Sequence, residues 1–577
     1  MKLLSFCVLV YFTIVNAHST IFVANYGAYP NDNLDDTNRI QLAVNAAIEA
    51  GVKTTIVFGL GIYNLSAAIS INSASNLTIT GQGIDQTFLI GHSPSSIFTI
   101  QSCQGLTISS LSIDFDPLPF TAGYVVGVNK TFLDLQVQSP HQTDVGRLVG
   151  AILRYDPIAM RPAFGPNTYE IYQTLSPNDT TSLVSPGVLR IPLAYATQFR
   201  VGDAIVARYT GQNHVIQGTD AQDLIVDSLN VYTSWCMSFA MARVRRLTVK
   251  NYHVLPRHGR WLSTTADCLN FLDSREYVHI SDSTCSSMGD DGLNISDLYF
   301  IVKEIINSTT LLIQTFNWAD TLNVGIGTTL EFSRNGQPFN AYTKGTIVST
   351  KDYDSKSRIF TFVEPISVNV NDYVVVSNVP EVIVKNLTIE NNRARGMLLQ
   401  TRNIFVKQSV LNRTSGPAIL LQPSLYWHEG PAAINVTLTE NLFINNNEGI
   451  ASEKGMIAIA PDPIQLIPVV ANIEISSSTF FTGTSSQALV QIYNGNNLFF
   501  SRNYIVTNNS IPLIKICNTR NATAENNTLI NTQTKIEQYY VLDQINPCSN
   551  NLSSLIDIPP SAFNSSFPPP VILPSDF

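Results

Sequence analysis

The sequence predicts an all-β chain, a right-handed parallel β-helix, and three observations carry that prediction. A loose repeat recurs: Leu224-Ile-Val-Asp-Ser-Leu-Asn-Val231 is followed 23 residues on by Leu247-Thr-Val-Lys-Asn-Tyr-His-Val254. Val384-Lys-Asn-Leu-Thr-Ile389 is likewise followed 22 residues on by Val406-Lys-Gln-Ser-Val-Leu411. Each piece alternates apolar and polar residues, is rich in Val, Ile and Thr, and often runs into Asn and Gly turns. Long amphipathic helical patterns are missing. A period of roughly 20 to 50 residues marks stacked units that bury their faces only against one another. A period near 22 with short strands points to one coil per repeat, with Val, Ile and Leu stacked inside.

The elements follow in order. Lys2, the apolar run Leu3 to Val15 and the small residue Ala17 read as a secretory signal over 1–17, leaving a mature chain that starts near His18. Residues 18–117 hold an N-terminal cap and the first coils. Thr37, Ile40, Ala43, Val44, Ala47 and Ile48 recur at helical spacing over Asp36 to Glu49, with Asp36 at the N-cap position. This helix protects the open end of the stack. Residues 118–213 break the repeat and predict an inserted β-barrel-like domain. Residues 214–297 return to coils and carry the densest polar cluster. Residues 298–378 predict a second barrel-like insertion, because Val201-Gly-Asp-Ala-Ile-Val206 and Val370-Asn-Asp-Tyr-Val-Val-Val376 echo each other. Loops of this length without structure of their own are uncommon in compact proteins. Residues 379–557 complete the coils, and 558–577 form a proline-rich tail.

Composition narrows the function classes. Only 13% of residues are charged while 44% are hydrophobic, which excludes a disordered tail, a coiled coil and collagen. A net charge of −9 speaks against nucleic acid and anionic membrane surfaces as partners. After the leader no apolar run long enough to span a bilayer follows, so no transmembrane segment is expected. Sequons recur from Asn64 and Asn76 through Asn386, Asn412 and Asn435 to Asn564, in keeping with a secreted glycoprotein. Cys7 leaves with the leader. Cys103, Cys236, Cys268, Cys285, Cys517 and Cys548 remain, either as buried thiols or in bridges, with Cys268–Cys285 and Cys517–Cys548 the sequence-near pairs.

The candidate chemistry lies between the insertions. Arg257-His-Gly-Arg-Trp-Leu-Ser-Thr-Thr-Ala-Asp267-Cys-Leu-Asn270 is followed by Met288-Gly-Asp-Asp-Gly-Leu-Asn-Ile-Ser296. Asp267 precedes Asp290 by 23 residues and Asp291 by 24, about one coil. Parallel strands sit about 4.8 Å apart, so the three carboxylates stack on one face. Both Asp290 and Asp291 face outward only if a turn or bulge intervenes, which Gly289 and Gly292 permit. Crowded carboxylates raise one another's pKa and yield a proton donor beside acceptors, the equipment of glycosidic hydrolysis. Two structural readings compete: Asp residues bonded to their own turns, and a Ca²⁺ site. No Gly-rich phosphate loop and no zinc-spaced Cys or His pair occurs, so neither cofactor nor metal is expected.

The Ser263-Thr-Thr-Ala-Asp267 and Gly289-Asp-Asp-Gly-Leu-Asn294 segments resemble glycoside hydrolase family 110, the α-1,3-galactosidases. So do Ile113-Asp-Phe-Asp-Pro-Leu-Pro-Phe-Thr121, Arg393-Ala-Arg-Gly-Met-Leu-Leu-Gln-Thr-Arg402, and Ser415-Gly-Pro-Ala-Ile-Leu-Leu421 with Tyr426-Trp-His-Glu-Gly430. The resemblance implies a β-helix with barrel-like insertions and metal-free, inverting release of terminal α-1,3-linked galactose. It places Asp267, Asp290 and Asp291 in the catalytic trio, with Asp290 as general acid and Asp267 and Asp291 as base candidates. Two positions depart from the pattern: Ser296 and Asn270 stand where the family commonly has His. Asn270, Asn294, Arg395, Gln400 and Glu429 are candidate sugar contacts, as are Arg393 and Arg402. Glu429 is alternatively an orienter of Arg395. Tyr426 and Trp427 offer faces for a pyranose. His258 reads as a surface residue. The rival readings are a polygalacturonase-like hydrolase, a lyase on the same scaffold, and a non-catalytic carbohydrate-binding or adhesion β-helix.

Overall fold

The computed structural model describes residues 18–531 apart from 163–169, 173–175, 177, 258, 317–323, 450–454, 466, 483–487 and 508–513. It also describes the short backbone pieces 540–541, 556–557 and 563–564. The leader, His258, Cys548 and most of the proline-rich tail lie outside the described residues.

The chain is a right-handed parallel β-helix. The alternation seen in the sequence works as expected: along Gln222–Val231 and Arg245–Val254, Leu224, Val226, Leu229 and Val231 stack in register on Leu247, Val249, Tyr252 and Val254, all buried. Val384 pairs with Val406, the 22-residue step of the repeat. Another face stacks Phe239–Ala242, Leu269–Leu272, Leu293–Leu298 and Met397–Gln400. Single residues in left-handed conformation turn the corners between faces, among them Ser228, Asn251, Asp282 and Asn386. Asn, Asp and Ser tolerate that conformation through local hydrogen bonds, which accounts for their frequency at coil ends. The corner asparagines also stack: Asn435 donates to Asn403, Asn472 to Asn435 and Asn497 to Asn472 at 2.9–3.1 Å.

The capping helix runs Thr37–Glu49 and buries Thr37, Ile40, Ala43, Val44 and Ala47, with Ile48 partly buried. Asp36 is the N-cap residue, as expected, but its side chain makes no capping bond; Asp35 instead accepts from the Thr37 amide at 3.0 Å and the Thr37 hydroxyl at 2.6 Å. The Asp36 carboxyl turns back to the Asn64 amide at 3.3 Å, so one acid caps while its neighbour ties the helix to the first coils.

Both insertions are antiparallel. The first, expected as a barrel, is a seven-stranded sheet running from Glu170–Tyr172 at one edge to Ser182–Ser185 at the other, with no closure among the described residues. The second is a closed barrel of six strands from Phe300–Asn307 to Tyr373–Val376, around Phe300, Leu311, Phe332, Phe360 and Val374. Arg402, a candidate sugar contact in the sequence, docks this barrel on the coils through two bonds to Glu331, at 3.0 and 2.7 Å.

Cys268 and Cys285 form a buried disulfide next to Asp267, and Cys517 is also disulfide-bonded. Cys103 and Cys236 are free thiols. The Cys268–Cys285 bridge closes a loop of 17 residues, for which the chain-entropy estimate is about 3 kcal/mol. Replacing both with Ala is predicted to lower the free energy of denaturant unfolding by about that amount. An unchanged midpoint would show that the bridge is dispensable.

Candidate active site

The site forms where the chain enters the face containing Leu269–Leu272 and Leu293–Leu298. Asn270 pairs with Asn294 and Leu269 with Leu293, a register of 24 residues that places Asp267 level with Asp291. The Cys268 amide bonds to the Asp291 carbonyl at 2.9 Å, which fixes that level. Asp290 is therefore the offset member, in a bend ahead of the strand. The glycines on either side serve close approach and not a left-handed turn. A Cβ at Gly289 would stand 2.4 Å from the Thr265 carbonyl oxygen, and one at Gly292 would stand 2.5 Å from Ile389.

Carboxylate oxygens of Asp267, Asp290 and Asp291 lie within 4.8 Å of one another. Asp267 and Asp291 are buried, while the Asp290 side chain is 25% exposed and is the member that reaches solvent. Each has its own partner. Asn270 donates to Asp267 at 2.8 Å. Arg395 donates to Asp291 twice, through its amide at 2.8 Å and its guanidinium at 2.6 Å. Arg393 pairs with Asp290 at 2.9 Å.

Burial first, then repulsion from Asp290 and Asp291, pushes the Asp267 carboxyl well above the usual carboxylate range. Burial also raises Asp291, which Arg395 partly offsets, leaving it at about 6. Burial and mutual repulsion thus favour a proton held within the cluster, with Asp267 raised well above the usual range and Asp291 partly held down by Arg395. The same oxygens are spaced to hold a divalent cation, but two guanidiniums already balance two of the carboxylates and would repel one. A cavity of about 710 Å³ lined by Asp220, Arg243, Asp273 and Arg275 lies at the opposite ends of these strands and contains none of the trio. Chemistry and not volume locates the site.

The other predicted contacts divide. Asn270 and Arg395 are tied directly to the trio. Asn294 sits beside Asn270 with a buried amide oxygen that receives no hydrogen bond. Gln400 is buried, donates to the Gln422 carbonyl at 2.7 Å, and leaves its own amide oxygen unbonded. Burial lifts Glu429 to about 7, against hydrogen bonding from Gln400 and attraction to Arg395, with Asp291 adding to the rise. The Glu429–Gly430 strand pairs with Asp297 and Leu298, which brings that acid to the end of the site strand. Tyr426 and Trp427 are 76% and 58% exposed and pack edge to face against each other. Ser296 is buried in register with Leu272 and Gln400.

Sequence reasoning missed the wall supplied by the first insertion. Tyr155 donates to the Trp261 carbonyl at 3.0 Å, and Arg208 donates to the Thr265 carbonyl. Glu170 contacts Arg393 at 3.2 Å, and Arg161 pairs with Glu448 at 2.9 Å. These contacts run along the coil connections on both sides of the trio. Nothing in local spacing links Glu170 to Arg393, because the pairing depends on how the insertion leans.

No family model matches the chain. The chain is 24% identical to alpha-1,3-galactosidase A of Shewanella woodyi over 76% of its own length and 78% of that protein. It is 23% identical to alpha-1,3-galactosidase B of Bacteroides thetaiotaomicron over 85% of its length and 87% of that protein. Among solved structures, an exopolygalacturonase of Thermotoga maritima superposes with a TM-score of 0.42 at 10% identity, covering 88% of this chain and 90% of that one. The Streptococcus pneumoniae surface adhesin PfbA gives 0.43 at 12%, covering 89% and 90%.

Proposed function

We propose that this divergent relative of the alpha-1,3-galactosidases is a secreted exo-glycosidase that hydrolyses terminal α-1,3-linked galactosides with inversion. The observation that carries the reading is the trio Asp267, Asp290 and Asp291, with oxygens within 4.8 Å and unlike surroundings. Asp290 reaches solvent and is the member able to touch a leaving oxygen. Its ion pair with Arg393 gives way as the sugar enters, and Asp267, whose carboxyl is raised by burial and by its two neighbours, is the group able to pass it a proton. Asp267 and Asp291 then hold the attacking water.

The separation alone is nearer the roughly 5 Å of retaining enzymes than the roughly 6.5–9.5 Å of inverting ones. Ligation favours inversion. Arg395 engages both oxygens of Asp291 and Asn270 holds Asp267, so water is a better nucleophile here than either carboxylate. The prediction is that proton NMR of a fresh digest shows β-galactose first; α-galactose first would indicate a covalent intermediate.

The rival uronan hydrolase needs free cations for its substrate. At this site Arg208, Arg393 and Arg395 are already engaged by Glu170, Asp290 and Asp291. The Arg161–Glu448 bridge, which is nearly buried, joins the insertion to a later coil and supports an end-closed site suited to chain termini. The disulfide beside Asp267 and the leader sequence support export. The test is a panel of α-1,3-galactobiose, blood-group-B trisaccharide and polygalacturonate. Galactose release from the first two is expected. Activity on polygalacturonate alone would transfer the trio to the rival enzyme, and silence on all three would favour a binding module.

A further inference from the structure

We infer that Glu170, carried by the first insertion, is a positioning residue that fastens the segments bearing the trio; the inference rests on the hydrolytic reading above. Its side chain is 1% exposed and lies between two guanidiniums, Arg208 at 2.6 Å and Arg393 at 3.2 Å. Neither Glu170 oxygen receives a well-directed hydrogen bond, so the contacts act through charge.

Each guanidinium continues into the site. Arg393 pairs with Asp290 at 2.9 Å. Arg208 donates to the carbonyl of Thr265, two residues before Asp267. Its Nη1 also lies 3.1 Å from where a Cβ at Gly289 would stand, so this glycine makes room for it beside Asp290. One buried carboxylate on an inserted sheet therefore holds the backbone ahead of Asp267 and the side chain of Asp290 at a fixed distance from each other. Tyr172, two residues on, presents an exposed ring with the Arg208 guanidinium 5.7 Å from its centroid. The insertion is thus part of the reacting centre's frame.

The charges around the cluster give the inference a second readout. Asp267 and Asp291 are faced by Asp290, Arg395 and, on the Asp291 side, Arg393 and Glu429. The Cys236 thiol is pushed up by burial and further by the charges of Asp267 and Asp290. Glu170 offsets part of the Arg393 charge. Removing it leaves Arg393 acting on the aspartates with nothing behind it, which favours their ionised forms.

The experiment compares Glu170→Gln and Glu170→Asp with the native chain, by kcat and KM against pH on α-1,3-galactobiose. Alongside, the aspartate carboxyls are titrated by ¹³C NMR without substrate. Glu170→Gln is expected to lower kcat about 10- to 100-fold with KM nearly unchanged. The cluster titration and the activity profile should move about one pH unit lower. Glu170→Asp keeps the charge and shortens the reach, so it should leave the titration in place and lose about 3- to 10-fold in kcat. A Glu170→Gln protein whose cluster titrates as the native does overturns the inference, whatever its activity. If Glu170→Gln does not fold, unaltered kcat in Glu170→Asp overturns it. A native chain that releases no galactose, while the titration still moves, sinks the hydrolytic reading and leaves the coupling of Glu170 to the trio standing.

Discussion

Asp290→Asn is expected to lower kcat on α-1,3-galactobiose by about 10²- to 10⁴-fold, the range for removal of a positioned general acid. The substitution keeps the shape of a 25%-exposed side chain, so little stability should be lost. The decisive reading is leaving-group dependence. A nitrophenyl galactoside, whose leaving group needs no protonation, should recover most of the lost rate in Asp290→Asn. Asp291→Asn should recover none, because its part lies in activating water. If Asp267→Asn is the variant that activated leaving groups rescue, the acid is Asp267, whose carboxyl burial and repulsion raise well above the usual range.

The second large effect is expected of Arg395→Gln. Arg395 opposes the burial that lifts Asp291 to about 6. Without it Asp291 holds its proton at neutral pH, and kcat/KM at pH 7 should fall about 10- to 100-fold as the acid limb of the profile moves up by one to two units. The stability consequence has a definite sign. The Asp291 value in the folded chain exceeds the roughly 3.9 of an unfolded one, so stability is greatest below about pH 4 and is lost as pH rises through the folded value. Arg395→Gln extends that loss to higher pH. Recovery of activity at high pH would support this account, whereas a uniform loss with no change in the profile would make Arg395 a sugar contact only.

Much of the architecture was legible because a coil exposes its logic locally. Inward positions alternate with outward ones, and the 22- and 23-residue steps of the repeat reappear as strand register. The trio was legible for the same reason, since one coil separates Asp267 from Asp290 and Asp291. The finer register of 24, which leaves Asp290 offset, depends on close packing at Gly289 and Gly292. The N-cap position of Asp36 was legible, but the capping bond comes from Asp35, because tertiary contact with Asn64 engages the Asp36 carboxyl. The pairing of Arg402 with Glu331 was not legible, because it depends on where the second barrel sits. Glu170 and Arg208 were invisible because no local periodicity reports the lean of an inserted sheet.

The most direct test of the central claim is time-resolved proton NMR of α-1,3-galactobiose with the native chain and with Asp290→Asn. The account predicts β-galactose from the native chain and almost none from the variant. A folded native chain that leaves the disaccharide intact, or an Asp290→Asn protein that cleaves it at the native rate, would contradict it.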